Sequence, residues 1–229
     1  MIEGKRVLGL IVARGGSIGF PNKNLALVDG TPVMHYTVRE AKKSKYLDRL
    51  VISSDSVEIV RVAKELGCEA PFMRPGSLAT DKTSTVDVAI HAISKIPNYD
   101  ILTILQPTSP LRLAEDIDNS IEALVYKNVS SAVTVTQVVD HPYLTFSRDS
   151  RGTLKSIVDT KGVSLRRQDL PAAYKLNGAV YTIRVTNMLA QKSLILDDTQ
   201  AVVMPRSRSL DIDTKDDLTA LEREMSKSN

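Results

Sequence analysis

Residues 7–24 read VLGLIVARGGSIGFPNKN, and the fold turns on how this stretch is understood. Residues 7–13 carry no charge and no polar side chain, the pattern of a strand buried on both faces. A loop follows at once, with Arg14, Gly15, Gly16, Ser17 and Gly19, then Lys23 and Asn24. Small residues let backbone N–H groups converge on an anion, and Arg14 and Lys23 add positive charge. The loop is not a P-loop, because no Gly-Lys-Ser/Thr ends it. Its glycines are not spaced as in the dinucleotide fingerprint either. Without the two cations it would read as a plain glycine turn; with them it points to a nucleotide phosphate site.

Further along, apolar runs at 50–54, 101–105, 131–135, 178–183 and 201–204 predict more strands. Helical spacing links them. Met34, Val38 and Ala41 line one face, Ile59, Val62, Ala63 and Leu66 the next. Val86, Ala89, Ile90 and Ile93 make a third face, and Ile117, Ile121 and Leu124 a fourth. Alternating strand and helix predicts an α/β fold, a mostly parallel sheet with helices on both faces. Ligands of such sheets sit outside the carboxyl ends of the strands, where the Arg14–Asn24 loop falls. The alternation breaks over about 138–175. That segment holds His141-Pro142-Tyr143, a polar run at 147–153 and Arg166-Arg167, and reads as a small insertion within a single domain spanning 1–229. A hairpin or arm making dimer contacts and an irregular surface loop are the two readings; a loop this long without a role is unusual.

The chain of 229 residues is long enough to bury a substantial core. Lys plus Arg is 30 against 27 for Asp plus Glu, and the net charge of +3 is too mild to predict a nucleic-acid partner. Trp is absent and aromatic residues are 4%, which argues against stacking platforms for single strands. Cys68, the single cysteine, excludes an intrachain disulfide and a cysteine-rich zinc site and reads as a small core residue. No long apolar segment opens the chain, so neither a signal peptide nor a membrane span is expected, and a cytoplasmic location is.

Seven blocks then carry a resemblance. They are ARGGSIGFPNKN at 13–24, SSD at 53–55, FMRPGSLATDKTST at 72–85, LQPTSPLR at 105–112, RRQDLP at 166–171, NGAVY at 177–181 and DIDT at 211–214. In this order they resemble the acylneuraminate cytidylyltransferases, the CMP-sialic acid synthetases and their close relatives, across nearly the whole chain. The resemblance implies a Rossmann-like sheet and transfer of CMP from CTP to the anomeric hydroxyl of a nine-carbon keto-sugar acid. Sialic, legionaminic and pseudaminic acids are the candidates. It also implies release of pyrophosphate, a requirement for Mg2+ and a homodimer. Other readings are a CMP-Kdo synthetase, another sugar nucleotidyltransferase, or a non-catalytic nucleotide-binding homologue. The last is motivated by Ile18, which stands where the family usually has Lys.

The resemblance assigns Arg14, Gly15, Ser17, Lys23 and Asn24 to the triphosphate and nucleoside, with Lys23 and Arg14 stabilising charge at the reacting phosphate. It assigns Arg74 and Thr85 to cytosine, whose O2 and N3 acceptors suit a guanidinium fork. Asp81 between them either holds Arg74 or caps the helix that follows, and capping is the favoured reading. Gln106 is assigned to the sugar acid, whereas Arg112 reads as structural. Arg167 and Lys175 are substrate-binding candidates, because a basic cluster suits the sugar carboxylate. Lys175 stands where the sialic acid enzymes tend to have Arg, and a solvated basic face is the other reading. Asp211 and Asp213, one residue apart in an extended segment, point to the same side as a pair of hard oxygen ligands for Mg2+. Thr214 and Asp217 after them have the spacing of a helix cap. His35, His91 and His141 are scattered, and no nucleophile context stands out, so no covalent enzyme intermediate is expected.

Overall fold

A computed structural model describes residues 1–16, 19–159 and 166–226 of the chain. The opening apolar run forms β1 (Val7–Val12). Its side chains alternate between two cores: Val7 and Ile11 enter one, Leu8 and Leu10 the other, and all four are fully buried. Both faces being dry, the run has no place for a polar residue. Gly9 fits within it because a Cβ there would lie 3.0 Å from the Leu47 and Leu50 side chains.

The chain continues through β2 (Leu27–Val28), β3 (Thr31–Pro32), α1 (Val33–Ala41), β4 (Arg49–Ser53), α2 (Val57–Glu65), α3 (Thr85–Lys95), β5 (Ile101–Leu105), α4 (Ala114–Tyr126) and β6 (Ser131–Gln137). The hairpin β7 (Phe146–Arg148) and β8 (Leu154–Ser156) precedes β9 (Tyr174–Arg184), α5 (Val185–Gln191), β10 (Gln200–Val203) and α6 (Lys215–Ser226). The central sheet has the order β10-β6-β9-β5-β1-β4. Its pairs are parallel except at β9, which runs antiparallel to both β5 and β6. The expected α/β sheet is therefore present with one reversed strand. The reversal has a simple origin. The chain leaves β6, passes through the inserted segment and returns beside β6, as in a hairpin, with no helical crossover to bring it back parallel.

One face of the sheet is covered by Met34, Val38 and Ala41 of α1, Ile59 and Ala63 of α2, and Ile117, Ile121 and Leu124 of α4. The other is covered by Ala89, Ala92 and Ile93 of α3 and by Val185 and Met188 of α5. Burying each such Leu, Ile or Met contributes about 1.5–3 kcal/mol, which is what fixes the sheet beneath the site. Cys68 is buried in the first of these cores, as expected. The segment 138–175 holds the β7–β8 hairpin and a 3-10 turn, Arg167–Asp169.

Candidate active site

At the carboxyl ends of β1 and β5 lies a cavity of about 570 Å3. Arg14, Lys23, Asn24, Arg74, Thr85, Gln106 and Asp213 line it, so residues spread over almost two hundred positions of sequence meet in one place. Ser17 and Ile18 lie outside the described residues. Gly15 is not among the described residues lining the cavity. Its amide donates to Asp55 Oδ1 at 2.9 Å, and a Cβ on it would sit 3.0 Å from Ser56 Cβ. Here glycine permits the loop to pack against the start of α2.

The basic loop is braced from within. Asn22 takes a left-handed conformation (φ 56°), which Asn tolerates, and turns the chain into the short 3-10 turn Lys23–Leu25. Asn24 is 4% exposed and donates its side-chain amide to the Arg14 carbonyl at 3.1 Å. The Arg14 guanidinium forms an ion pair with Asp81. This corrects the expectation for Asp81, which neither caps α3 nor holds Arg74. Ser84 is the cap. Its hydroxyl accepts from Asp87 N at 3.1 Å, and the Asp87 carboxylate accepts from Ser84 N at 3.4 Å. Asp81 lies three residues too early for that geometry.

Arg74 is 6% exposed. Its Nε donates to Ser53 Oγ at 3.0 Å, and its Nη2 donates to the Ser53 carbonyl at the end of β4. Burial lowers its pKa, the nearby Asp55 carboxylate opposes that, and the Arg14 guanidinium adds to it. Two of its nitrogens are committed to Ser53, so the group is held at a fixed angle before any ligand arrives. The SSD block at 53–55 carries part of the resemblance, but nothing in those three residues signals that Ser53 braces Arg74 or that Asp55 accepts from the Gly15 amide.

Lys23 Nζ pairs with Asp213 Oδ1 at 2.7 Å. Asp211 and Asp213 flank Ile212, whose side chain is fully buried, and of the two only Asp213 lines the cavity. Their environments differ. Asp213 is exposed, whereas burial pushes the Asp211 pKa up; Thr108 opposes this by hydrogen bonding, and the Asp213 charge reinforces it. Asp211 Oδ1 is buried without a hydrogen-bond partner. An orphaned, hard oxygen beside a second carboxylate fits a divalent cation that takes few protein ligands. Among the described residues, no group of three or more His, Cys, Asp or Glu gathers to hold a metal, so the remaining ligands of such an ion would be water and phosphate. The cap reading is also correct. Asp217 Oδ2 accepts from Thr214 N at 2.8 Å and from Asp213 N at 3.1 Å, leaving the Asp213 carboxylate free for Lys23.

Gln106 and Asp211 meet at a bulge in β9. Four residues, Asn177 to Val180, bridge the register between Val133↔Tyr181 and Val135↔Leu176, where β6 has only Thr134. Thr134 Oγ1 fills the gap, donating to Asn177 Oδ1 at 2.7 Å and accepting from Val180 N at 2.9 Å. Gly178 within the bulge has φ +75°, and a Cβ there would lie 3.1 Å from Gln106 Oε1 and 3.9 Å from Asp211 Oδ2. The glycine thus satisfies a backbone demand and keeps room for both side chains. Arg112 is structural, as expected. It is fully buried and donates to the carbonyls of Ala179 at 2.7 Å and Gln106 at 3.2 Å, and to Thr37 Oγ1 at 2.6 Å. Burial pulls its pKa down to about 10.

Arg167 and Lys175 stand apart from this cavity. Lys175 lines a second one, of about 730 Å3, with Thr136, Asp140, Arg206, Ser209 and Glu224. Arg167 Nη2 donates to the carbonyl of Val139, a residue of the same wall, at 3.3 Å. The 209–213 segment contributes to both, Ser209 and Leu210 lining the second cavity and Asp213 the first. The histidines are not brought together. His35 and His91 lie on α1 and α3. His141 Nδ1 accepts from Tyr143 N, which assigns its proton to Nε2 and makes that nitrogen the donor to the Pro171 carbonyl at 2.9 Å.

A known protein fold matches this arrangement. The protein superimposes with a TM-score of 0.74 on a solved CMP:2-keto-3-deoxy-manno-octonic acid synthetase complexed with CTP, covering 98% of this chain and 100% of that one at 16% identity. At that identity the likeness concerns the fold. Sequence relatives are nearer. The chain is 32% identical over 226 residues to a CMP-N,N'-diacetyllegionaminic acid synthase of Legionella pneumophila, covering 96% of each. It is also 32% identical over 211 residues to an N-acylneuraminate cytidylyltransferase of Streptococcus agalactiae, covering 91% of this chain and 50% of that protein. The family model described as cytidylyltransferase matches residues 8–223. So long a match leaves only the ends of the chain outside it, and the protein belongs to the cytidylyltransferase family.

Proposed function

We propose that this protein transfers CMP from CTP to the anomeric hydroxyl of a nine-carbon keto-sugar acid of the sialic and legionaminic type. One observation carries the reading: two cations from the glycine-rich loop and a pre-set arginine share a single cavity with Gln106. Lys23 and Arg14 suit the triphosphate. Arg74, with Nε and Nη2 held by Ser53, has Nη1 left to donate to cytosine O2 or N3; uracil carries a hydrogen on N3 and fits such a donor less well. Thr85 adds a hydroxyl at the same wall. Gln106 stands where the sugar would approach.

In the reaction the anomeric oxygen attacks the α-phosphorus of CTP. A new C–O–P linkage forms, the bond to the β-phosphate oxygen breaks, pyrophosphate leaves with that electron pair, and the hydroxyl proton passes to solvent. Lys23 stabilises the negative charge that builds on the reacting phosphate, the task on which such transfers chiefly depend. Asp211 and Asp213 would hold Mg2+, which when bound supplies charge neutralisation on the triphosphate. The sugar carboxylate is assigned to Arg167 and Lys175, a guanidinium fork and a point charge. Exposed apolar side chains on the 138–175 segment, Phe146, Leu154 and Ile157, support its use as the contact of a homodimer. Among the described residues no helix is long and apolar enough to cross a membrane, and the demand for CTP favours the cytoplasm.

The test is a panel read by pyrophosphate release. CTP with sialic, legionaminic or pseudaminic acid should give turnover. Activity confined to CTP with Kdo, or to UTP or GTP with a sugar 1-phosphate, would reject the reading.

A further inference from the structure

Both cations of the glycine-rich loop already hold an acid when no ligand is present: Lys23 holds Asp213 and Arg14 holds Asp81. Asp213 has a second use as a metal ligand in the reading above. Asp81 has none. It neither caps the helix after it nor braces Arg74, yet it lines the nucleotide cavity and places its carboxylate on the guanidinium meant for phosphate. We propose that Asp81 is a competing internal anion: it occupies the Arg14 subsite and must be displaced by the polyphosphate of CTP.

The surroundings explain why an anion belongs there. Arg14 and Arg74 lie close enough to repel, and Arg74 is held in place by Ser53 and cannot move away. In the ligand-free protein Asp81 offsets that repulsion, as Asp55 does on the other side of Arg74. Once phosphate arrives, it takes over the neutralisation, and an undisplaced Asp81 would face it as a like charge. The side chain is about half exposed and sits in the loop between the 3-10 turn Gly76–Leu78 and α3, so it can turn to water without disturbing a core. Its neighbours in the loop are tied to one another, Thr80 Oγ1 to Thr83 Oγ1 at 2.8 Å and Thr83 Oγ1 to the Ser77 carbonyl at 3.4 Å. The loop backbone therefore has its own supports, separate from Arg14.

Every polyphosphate meets the same displacement cost, so Asp81 lowers the affinity for CTP and for inorganic pyrophosphate alike. The product, which has no base to reach Arg74 and Thr85, is thereby kept a weak ligand and leaves readily, while CTP retains its base contacts. The inference rests on the proposed cytidylyl transfer.

The experiment is calorimetry of the intact protein and of Asp81→Asn and Asp81→Ala, with CTP and with inorganic pyrophosphate as separate probes. Both variants should bind pyrophosphate about three- to ten-fold tighter than the unchanged protein, the scale of a partly exposed ion pair with added like-charge relief. CTP should tighten too, and Asp81→Glu should behave as the unchanged protein. The gain should shrink as salt is raised. Equal or weaker binding of both probes by Asp81→Asn and Asp81→Ala, with unaltered melting, would overturn the inference while leaving the functional reading intact. Failure of the unchanged protein to bind CTP would overturn both.

Discussion

Arg74 and Arg167 are both assigned to the substrates, and they are built in opposite ways. Arg74 is 6% exposed, anchored by two nitrogens to the last residue of β4, an edge strand of the main sheet, and beside a second arginine. Arg167 is exposed, stands on a three-residue 3-10 turn in the inserted segment, and bonds to the carbonyl of another loop residue at 3.3 Å. On the proposed reading the nucleotide half of the site is thus fixed before binding, whereas the sugar half would be carried by exposed side chains. Ordering a rotamer-rich side chain on binding costs about 0.5–1.5 kcal/mol, so the two halves reach their ligands by different routes.

The hardest test of the fixed half is Lys23→Ala. It should lower kcat about 10²–10³-fold, about 3–4 kcal/mol of transition-state stabilisation, with an unaltered melting curve. Near-normal turnover would remove the main cation from the chemistry. Arg74→Lys comes next. Lysine cannot keep both bonds to Ser53 and still present a fork, so KM for CTP should rise about ten-fold or more while discrimination against UTP shrinks. If CTP and UTP were still distinguished as before, base selection would lie elsewhere. Arg167→Ala should raise KM for the sugar acid about three- to ten-fold, leave KM for CTP alone, and change stability by less than about 0.5 kcal/mol. An effect on CTP alone would erase the contrast between the halves.

The smallest expected effect concerns Asp211→Asn in the ligand-free protein. Burial raises the Asp211 pKa above its unfolded value of 3.8. A raised folded pKa means the native state binds the proton more tightly, so this contribution to stability is complete below the unfolded value. It is lost as the pH climbs through the folded one. At neutral pH the carboxylate is a burden, and the neutral amide should raise the melting temperature, on the order of 2 °C. The same change should abolish turnover. A lower melting temperature would mean that the carboxylate contributes to the free fold, and would weaken its reading as a site kept for a cation.

Much of the fixed half was legible in sequence because its signals are local. An unpolar run followed by glycines and cations announces a buried strand and an anion site within eighteen residues. Arg112 was read as structural from its place after a Pro-rich turn, and it is buried. Long-range pairings had no such signal. Nothing in ATDKTST says that Asp81 reaches back to Arg14, because helix-cap chemistry and ion pairing draw on the same residue type, and Ser84 was the better cap. Nothing at 178–183 announces a reversed strand, because alternation reports burial and not direction. Lys175 and Arg167 read as one basic cluster, but only the fold reveals that Lys175 lines a second cavity and that Arg167 bonds to a residue of its wall.

β9 starts in the arm and ends in the middle of the sheet without an intervening turn. Tyr174 and Lys175 belong to its outer end, Gly178 leaves room for the Gln106 and Asp211 side chains, and Val180 stands opposite Leu105 of β5. A strand is stiff along its length, so a displacement of its outer end is carried toward the bulge beside the cavity. The bulge at Asn177–Val180 interrupts the ladder with β6 and is the natural place for such a displacement to be absorbed. Tension on the outer end of β9, whatever seizes it, would be taken up there, beside the Gln106 and Asp211 side chains.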